Sequence, residues 1–116
     1  MPLLRSFGFA FAGLAYLLRT QRNFRIELGI GTFAVVGGVV ARFAAWEWAV
    51  LFLTIAIVLV LEAVNTAIEN AVTIASPGFD AKARAAKDVS AAAVLLAALA
   101  SVAVGVVLFA PRFFAL

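Results

Sequence analysis

Apolar residues in this chain fall into long blocks separated by short polar segments. The first block, about residues 3–20, sets Phe7, Phe11, Leu14 and Leu18 at helical spacing and is bracketed by Arg5, Arg19, Arg22 and Arg25. It is too short to cross a bilayer, so the pattern predicts an amphipathic helix lying in the membrane interface. A second block, about residues 28–44, contains Gly29, Gly31, Gly37 and Gly38 and predicts a spanning helix that a neighbour can approach closely. Trp46, Glu47 and Trp48 then interrupt the apolar run, as an aromatic anchor would at the opposite membrane surface.

The next span, about residues 48–75, runs uncharged to Leu61, then admits Glu62, Asn65, Thr66, Glu69 and Asn70 before a turn at Ser76-Pro77-Gly78. At 1.5 Å per residue it is about 40 Å long, so its last two turns are expected to leave the hydrocarbon. A polar loop with Asp80, Lys82, Arg84, Lys87 and Asp88 leads to the final span, about residues 89–109, with Asp88 as its N-terminal cap and Pro111 and Arg112 closing it. The reading is a single domain, residues 1–116: an all-α membrane protein with one interfacial helix and three transmembrane helices.

Composition agrees with that pattern. Of 116 residues, 66% are hydrophobic and 13% charged, too apolar for a water-soluble domain of this size. The run from Phe7 to Leu18 resembles a signal segment, but Leu17-Leu18-Arg19-Thr20 offers no small-residue cleavage site, and the segment is read as retained. Seven of the nine basic residues lie on the N-terminal side or in the 76–88 segment, against Arg42 and Arg112 opposite. The positive-inside rule then puts the N-terminus and that segment in the cytoplasm and the C-terminus outside, in the cytoplasmic (inner) membrane. A net charge of +3 without basic residues interleaved with exposed aromatics argues against nucleic acid. With neither Cys nor His, acid-base or metal chemistry falls to carboxylates, Lys and Arg.

The chemistry concentrates on the second span. Glu62 and Glu69 are seven residues apart, two helical turns, with Asn65 between them on the same face. Ionisable groups at membrane depth cost several kcal/mol unless paired, solvated or bound to an ion, so the stripe is a candidate site. The structural alternative is a set of interhelical hydrogen bonds fixing helix register, nearly as strong a reading for Asn65 alone. Carboxylates that can hold Mg²⁺, a Lys for phosphate oxygens and a carboxylate that can take a hydroxyl proton suggest phosphate chemistry at the cytoplasmic surface. A proton relay or ion transporter competes on these grounds, and no P-loop or kinase Gly-rich loop is present.

Glu62-Ala63-Val64-Asn65-Thr66-Ala67-Ile68-Glu69, followed by Ala86-Lys87-Asp88 and Ala91-Ala92-Ala93-Val94-Leu95, resembles the signature of the prokaryotic diacylglycerol kinase and undecaprenol kinase family. The similarity covers nearly the whole chain, from Ser6-Phe7 through Asn23-Phe24-Arg25-Ile26 to Phe109-Ala110-Pro111. The Asn23 to Ile26 and Glu47-Trp48 elements are closer to the undecaprenol branch. The resemblance implies a homotrimer with sites between protomers that moves the γ-phosphate of Mg-ATP to a lipid alcohol. It implies Glu62 as the catalytic base, Asn65 in the active-site stripe and Glu69 as a ligand of the ATP-bound Mg²⁺. Lys87 and Asp88, with Arg5, then make the nucleotide contacts.

Three positions depart from the family pattern. Gln21 stands where a metal-binding Glu is usual, and Thr73 where an acid is usual four residues after Glu69, while Asp80 replaces a usual His. Gln offers a metal only a neutral carbonyl, which leaves Asp80, Glu27 or water to compensate. Two functions follow as expectations: a lipid kinase preferring undecaprenol to diacylglycerol, or a catalytically impaired relative acting as a lipid- or partner-binding membrane protein.

Overall fold

The computed structural model describes residues 2–114. Among them are four helices and no strand: α1 (Pro2–Thr20), α2 (Arg22–Ala41), α3 (Ala45–Ala75) and α4 (Ala81–Phe113). The last three are long and apolar enough to cross a membrane, which makes the chain an all-α membrane protein with three candidate spans. In α1, Phe7, Phe11 and Leu14 are exposed and Leu17 is buried, so this amphipathic helix turns most of its apolar surface outward.

Each corner has a local cause. A single residue, Gln21, separates α1 from α2. There the Arg25 guanidinium donates to the Leu18 and Arg19 carbonyls at 2.8 and 3.3 Å, satisfying oxygens that the end of α1 leaves unpaired. Between α2 and α3, Arg42 adopts the left-handed conformation (φ 58°) while Phe43 N–H bonds the Gly38 carbonyl at 3.1 Å. This is a Schellman turn, and it sends the chain back antiparallel. Gly38 permits it, because a Cβ there would lie 2.8 Å from the Trp48 ring and 3.0 Å from Phe43.

The α3–α4 corner corrects the expected loop. Residues 76–80 alone are non-helical, and Lys82, Arg84, Lys87 and Asp88 all lie within α4. Asp80 is the cap, its carboxylate accepting from Ala83 N–H at 3.1 Å, whereas Asp88 sits two turns inside. Charge keeps these residues out of hydrocarbon but does not stop a helix, and the interspersed alanines favour one. At the far end α4 also runs past Pro111 to Phe113, since a proline's lost N–H and ring clash break only bonds one turn back.

α4 packs along α3, and α2 against both. The molecule measures 55 × 40 × 21 Å, and its least dimension equals about two helix diameters. So thin a body buries little: its hydrophobic core is Phe43, Leu51 and Leu108, while Phe33, Leu96, Leu99 and Val106 face outward, as lipid or neighbouring chains require. The buried residues of α3, namely Glu47, Leu51, Val58, Glu62 and Thr66, form one stripe. At its N-terminal end Glu47 Oε1 accepts from Arg112 at 2.7 Å and from Ala44 N–H at 2.9 Å, and the Arg112 guanidinium lies over the Phe43 ring. This ion pair ties the α2–α3 corner to the end of α4.

Gly38→Ala should lower stability by about 1–3 kcal/mol in detergent unfolding, because the added methyl meets two packed rings. Gly29→Ala, where nothing lies within 4 Å, should be neutral or mildly stabilising. Equal effects would mean the α2–α3 contact is looser than described.

Candidate functional site

The other end of the buried α3 stripe carries the polar residues. Glu62 and Thr66 are 3% and 4% exposed, the Thr66 hydroxyl donating to the Glu62 carbonyl at 3.0 Å. Asn65 and Glu69 lie half-buried beside them. No ion pair engages Glu62 or Glu69 among the described residues.

The early start of α4 brings a second set of side chains against this stripe. Ser90, buried, donates to Asn65 Oδ1 at 2.6 Å, with the Lys87 carbonyl as a second acceptor at 3.0 Å. Lys87 Nζ donates to Thr73 Oγ1 at 2.9 Å. Asp88 instead pairs with Arg84 at 3.2 Å, an exposed contact four residues apart worth a few tenths of a kcal/mol. Thus Lys87 and Asn65 are held to one α3–α4 seam, and Asp88 turns to the solvent side of α4.

Helix α1 reaches the same end through the Asn70 amide, which donates to the Tyr16 hydroxyl at 3.1 Å. Gln21 donates to the Thr20 hydroxyl at 3.1 Å. Arg5 is exposed and joins none of the site residues by a hydrogen bond or ion pair among the described residues.

Glu27 belongs here as well. Gly31 faces Ile55 across the antiparallel α2–α3 pair, so counting seven residues along each helix puts Phe24 level with Glu62 and Glu27 one turn further into the membrane. Side chains lean toward the N-terminus of their own helix, which tips Glu27 and Glu62 toward each other. Glu69 follows Glu62 two turns along the same face of α3. Glu27 also lines one end of an apolar groove of about 530 Å³ between α2, α3 and α4, alongside Gly31, Ile55 and Val58, with Phe109 and Phe113 at the far end. The two hydroxyls in its wall are spent on their own helices, Thr54 to Val50 O and Ser101 to Ala98 O, both at 2.7 Å.

These acids do not close into a cage: among the described residues no three His, Cys, Asp or Glu side chains are grouped to hold a metal. One or two carboxylates suit Mg²⁺ that arrives on nucleotide phosphates and keeps its waters.

The family model described as prokaryotic diacylglycerol kinase matches residues 8–109. The chain belongs to this family. It is 43% identical over 110 residues to a diacylglycerol kinase of Synechocystis sp., covering 94% of this chain and 63% of that protein, so it spans just under two thirds of that relative's length. It is 33% identical over 108 residues to an undecaprenol kinase of Bacillus subtilis, covering 93% of this chain and 88% of the relative. Both names describe lipid kinases.

Two members of this cluster carry little signal in the sequence. Ser90 is one hydroxyl in an Ala-rich run, marked only by its position three residues after Lys87. Tyr16 is the single tyrosine, and only the α1–α2 corner reveals that it faces Asn70. Loss of its hydroxyl in Tyr16→Phe should release the end of α1, seen as faster amide exchange across residues 14–20 with exchange in α3 unchanged. Unchanged exchange in α1 would show that Leu17 and Arg25 suffice to hold it.

Proposed function

We propose that this chain is a lipid kinase that transfers the γ-phosphate of Mg-ATP to a membrane lipid alcohol, undecaprenol in preference to diacylglycerol. The observation that carries this reading is the position of Glu62. It is a buried carboxylate one turn beyond Val58, which lines an apolar groove with Glu27 at its near end, while Lys87 bonds Thr73 further along the same α3–α4 seam.

An acceptor whose chain lies in the groove brings its hydroxyl to Glu62. Glu62 takes the hydroxyl proton as the oxygen attacks the γ-phosphorus in line, and ADP leaves. Glu69, two turns nearer the cytoplasm, ligates the nucleotide-borne Mg²⁺, with Gln21 contributing a neutral oxygen. Lys87 supplies positive charge to the phosphates as the loose transition state spreads negative charge over their oxygens. Asp88 and Arg5 contact the nucleotide, Arg5 from the interfacial helix.

The groove supports the choice of acceptor. Because Thr54 and Ser101 are bonded to their own backbones, its wall offers no free donor to the ester carbonyls of a diacylglycerol. A polyprenol is hydrocarbon up to its hydroxyl and leaves no polar group unsatisfied there. The thin body and half-buried acids support a homotrimer in which neighbouring protomers cover the sites. The distribution of basic residues supports an inner-membrane orientation with the N-terminus and the 76–88 segment in the cytoplasm.

A second reading, a catalytically impaired relative that binds lipid or a partner, is favoured by two observations. Gln21 is engaged with Thr20, and Thr73 gives Lys87 a hydroxyl in place of an acid. Mg-ATP binding without phosphorylation of any lipid alcohol would decide for it.

In assays of purified protein with Mg-ATP, undecaprenol should be phosphorylated faster than diacylglycerol. Glu62→Gln should lower turnover by about 10²- to 10⁴-fold with nucleotide binding retained. Full turnover in that variant would remove Glu62 from the role of base. Gln21→Glu, which adds a charged oxygen, should lower the Mg²⁺ concentration for half-maximal rate several-fold, and an unchanged requirement would place residue 21 outside the metal's reach.

A further inference from the structure

Of the polar contacts between spans, that of Ser90 with Asn65 is the shortest, and it joins a stripe residue to a side chain with no role of its own in the chemistry above. The Ser90 hydroxyl has one proton and two acceptors, Asn65 Oδ1 at 2.6 Å and the Lys87 carbonyl at 3.0 Å. Asn65 holds the shorter contact. Ser90 is 7% exposed, so water does not compete for the bond.

A side-chain amide is two-faced, an acceptor oxygen on one prong and two N–H donors on the other. With Oδ1 held toward α4, the donor prong turns away from Ser90. Glu62 lies three residues before Asn65 and Glu69 four after it on the same helix face, so the space between the two acids is within reach of the donors. A carbonyl in that position would suit a metal, whereas N–H groups suit an anion.

We propose that Ser90 is a positioning residue: its hydroxyl fixes the Asn65 amide with the N–H₂ prong toward the space between Glu62 and Glu69, where it donates to an oxygen of the transferring phosphoryl group. This rests on the lipid kinase reading and on Asn65 belonging to its site. Two flanking carboxylates repel an incoming phosphoryl group, and a fixed donor between them offsets part of that repulsion without rearrangement during transfer. Free of Ser90, the amide can rotate its oxygen into the same space and add to the repulsion.

The test compares the full chain with Ser90→Ala, Asn65→Ala, the double variant and Asn65→Asp, in lipid nanodiscs with Mg-ATP and undecaprenol. Turnover, both KM values and the unfolding midpoint are measured. Ser90→Ala should lower kcat roughly five- to tenfold with KM for the lipid unchanged, the scale of one lost hydrogen bond. Asn65→Ala should lower it further, and the double variant should match Asn65→Ala, because Ser90 acts only through Asn65. Asn65→Asp keeps the Ser90 partner and the shape but replaces the donors with an anion. It should stay folded and be at least as impaired as Asn65→Ala.

Multiplying effects of Ser90→Ala and Asn65→Ala, or wild-type turnover in Asn65→Asp, would overturn the proposal. Should Ser90→Ala lose its fold, Asn65→Asp still decides, since it leaves that hydrogen bond in place. Wild-type turnover in Asn65→Ala would instead remove Asn65 from the site and overturn both readings of that residue. An inactive parent chain that still binds Mg-ATP would count against the lipid kinase reading, and this inference would fall with it.

Discussion

The bilayer offers a carboxylate no water, and that constraint governs how α3 is built. Backbone groups at membrane depth are satisfied by helix, but a charged side chain has to face another helix, a counter-ion or a ligand. α3 puts Glu47 and Glu62 on one buried stripe and treats them differently. Glu47 is matched by Arg112, whose guanidinium lies over the Phe43 ring, and by the Ala44 N–H at the start of its own helix, which makes it a structural clasp. Glu62 has no ion-pair partner among the described residues and lies one turn from Val58 in the wall of the apolar groove.

The second consequence concerns α4. Its helix begins at Ala81, and its first turns carry Lys87 and Ser90 onto the face of α3 that bears Asn65 and Thr73. Regular helices on both sides of this seam hold side chains more firmly than a loop can, which matters where catalysis rests on preformed electrostatics. At the opposite end, Gly31, Gly37 and Gly38 let α2 close on Ile55, Phe109 and Trp48. These small residues bring α2 in, and the space left between α2, α3 and α4 is the groove that ends at Glu27.

Much of this was legible in the amino-acid sequence, for physical reasons. Span lengths follow from the thickness of hydrocarbon, and the spacing of Phe7, Phe11 and Leu14 follows from the helical period. Two acids two turns apart must share a face, so the Glu62, Asn65 and Glu69 stripe needs no tertiary information. Those features are local, and local periodicity carries them. The start of α4 was not legible in this way, because polarity marks a loop and residues 81–88 are polar and helical at once. Asp80, the true cap, differs from Asp88 only in where the helix begins.

What only the tertiary structure decided are the partnerships. Helix period says which residues share a face but not which faces meet, and facing depends on how two helices slide and rotate against each other. That relation sets Ser90 against Asn65, Lys87 against Thr73, Tyr16 against Asn70 and Arg112 against Glu47, residue pairs separated by 14 to 65 positions. It also brings Glu27 over Glu62, from a helix where the sequence marks it only as one acid among arginines. The sequence alone determined that this protein lives in the membrane and keeps acids there; packing determined which of them are held by partners and which are left beside the groove.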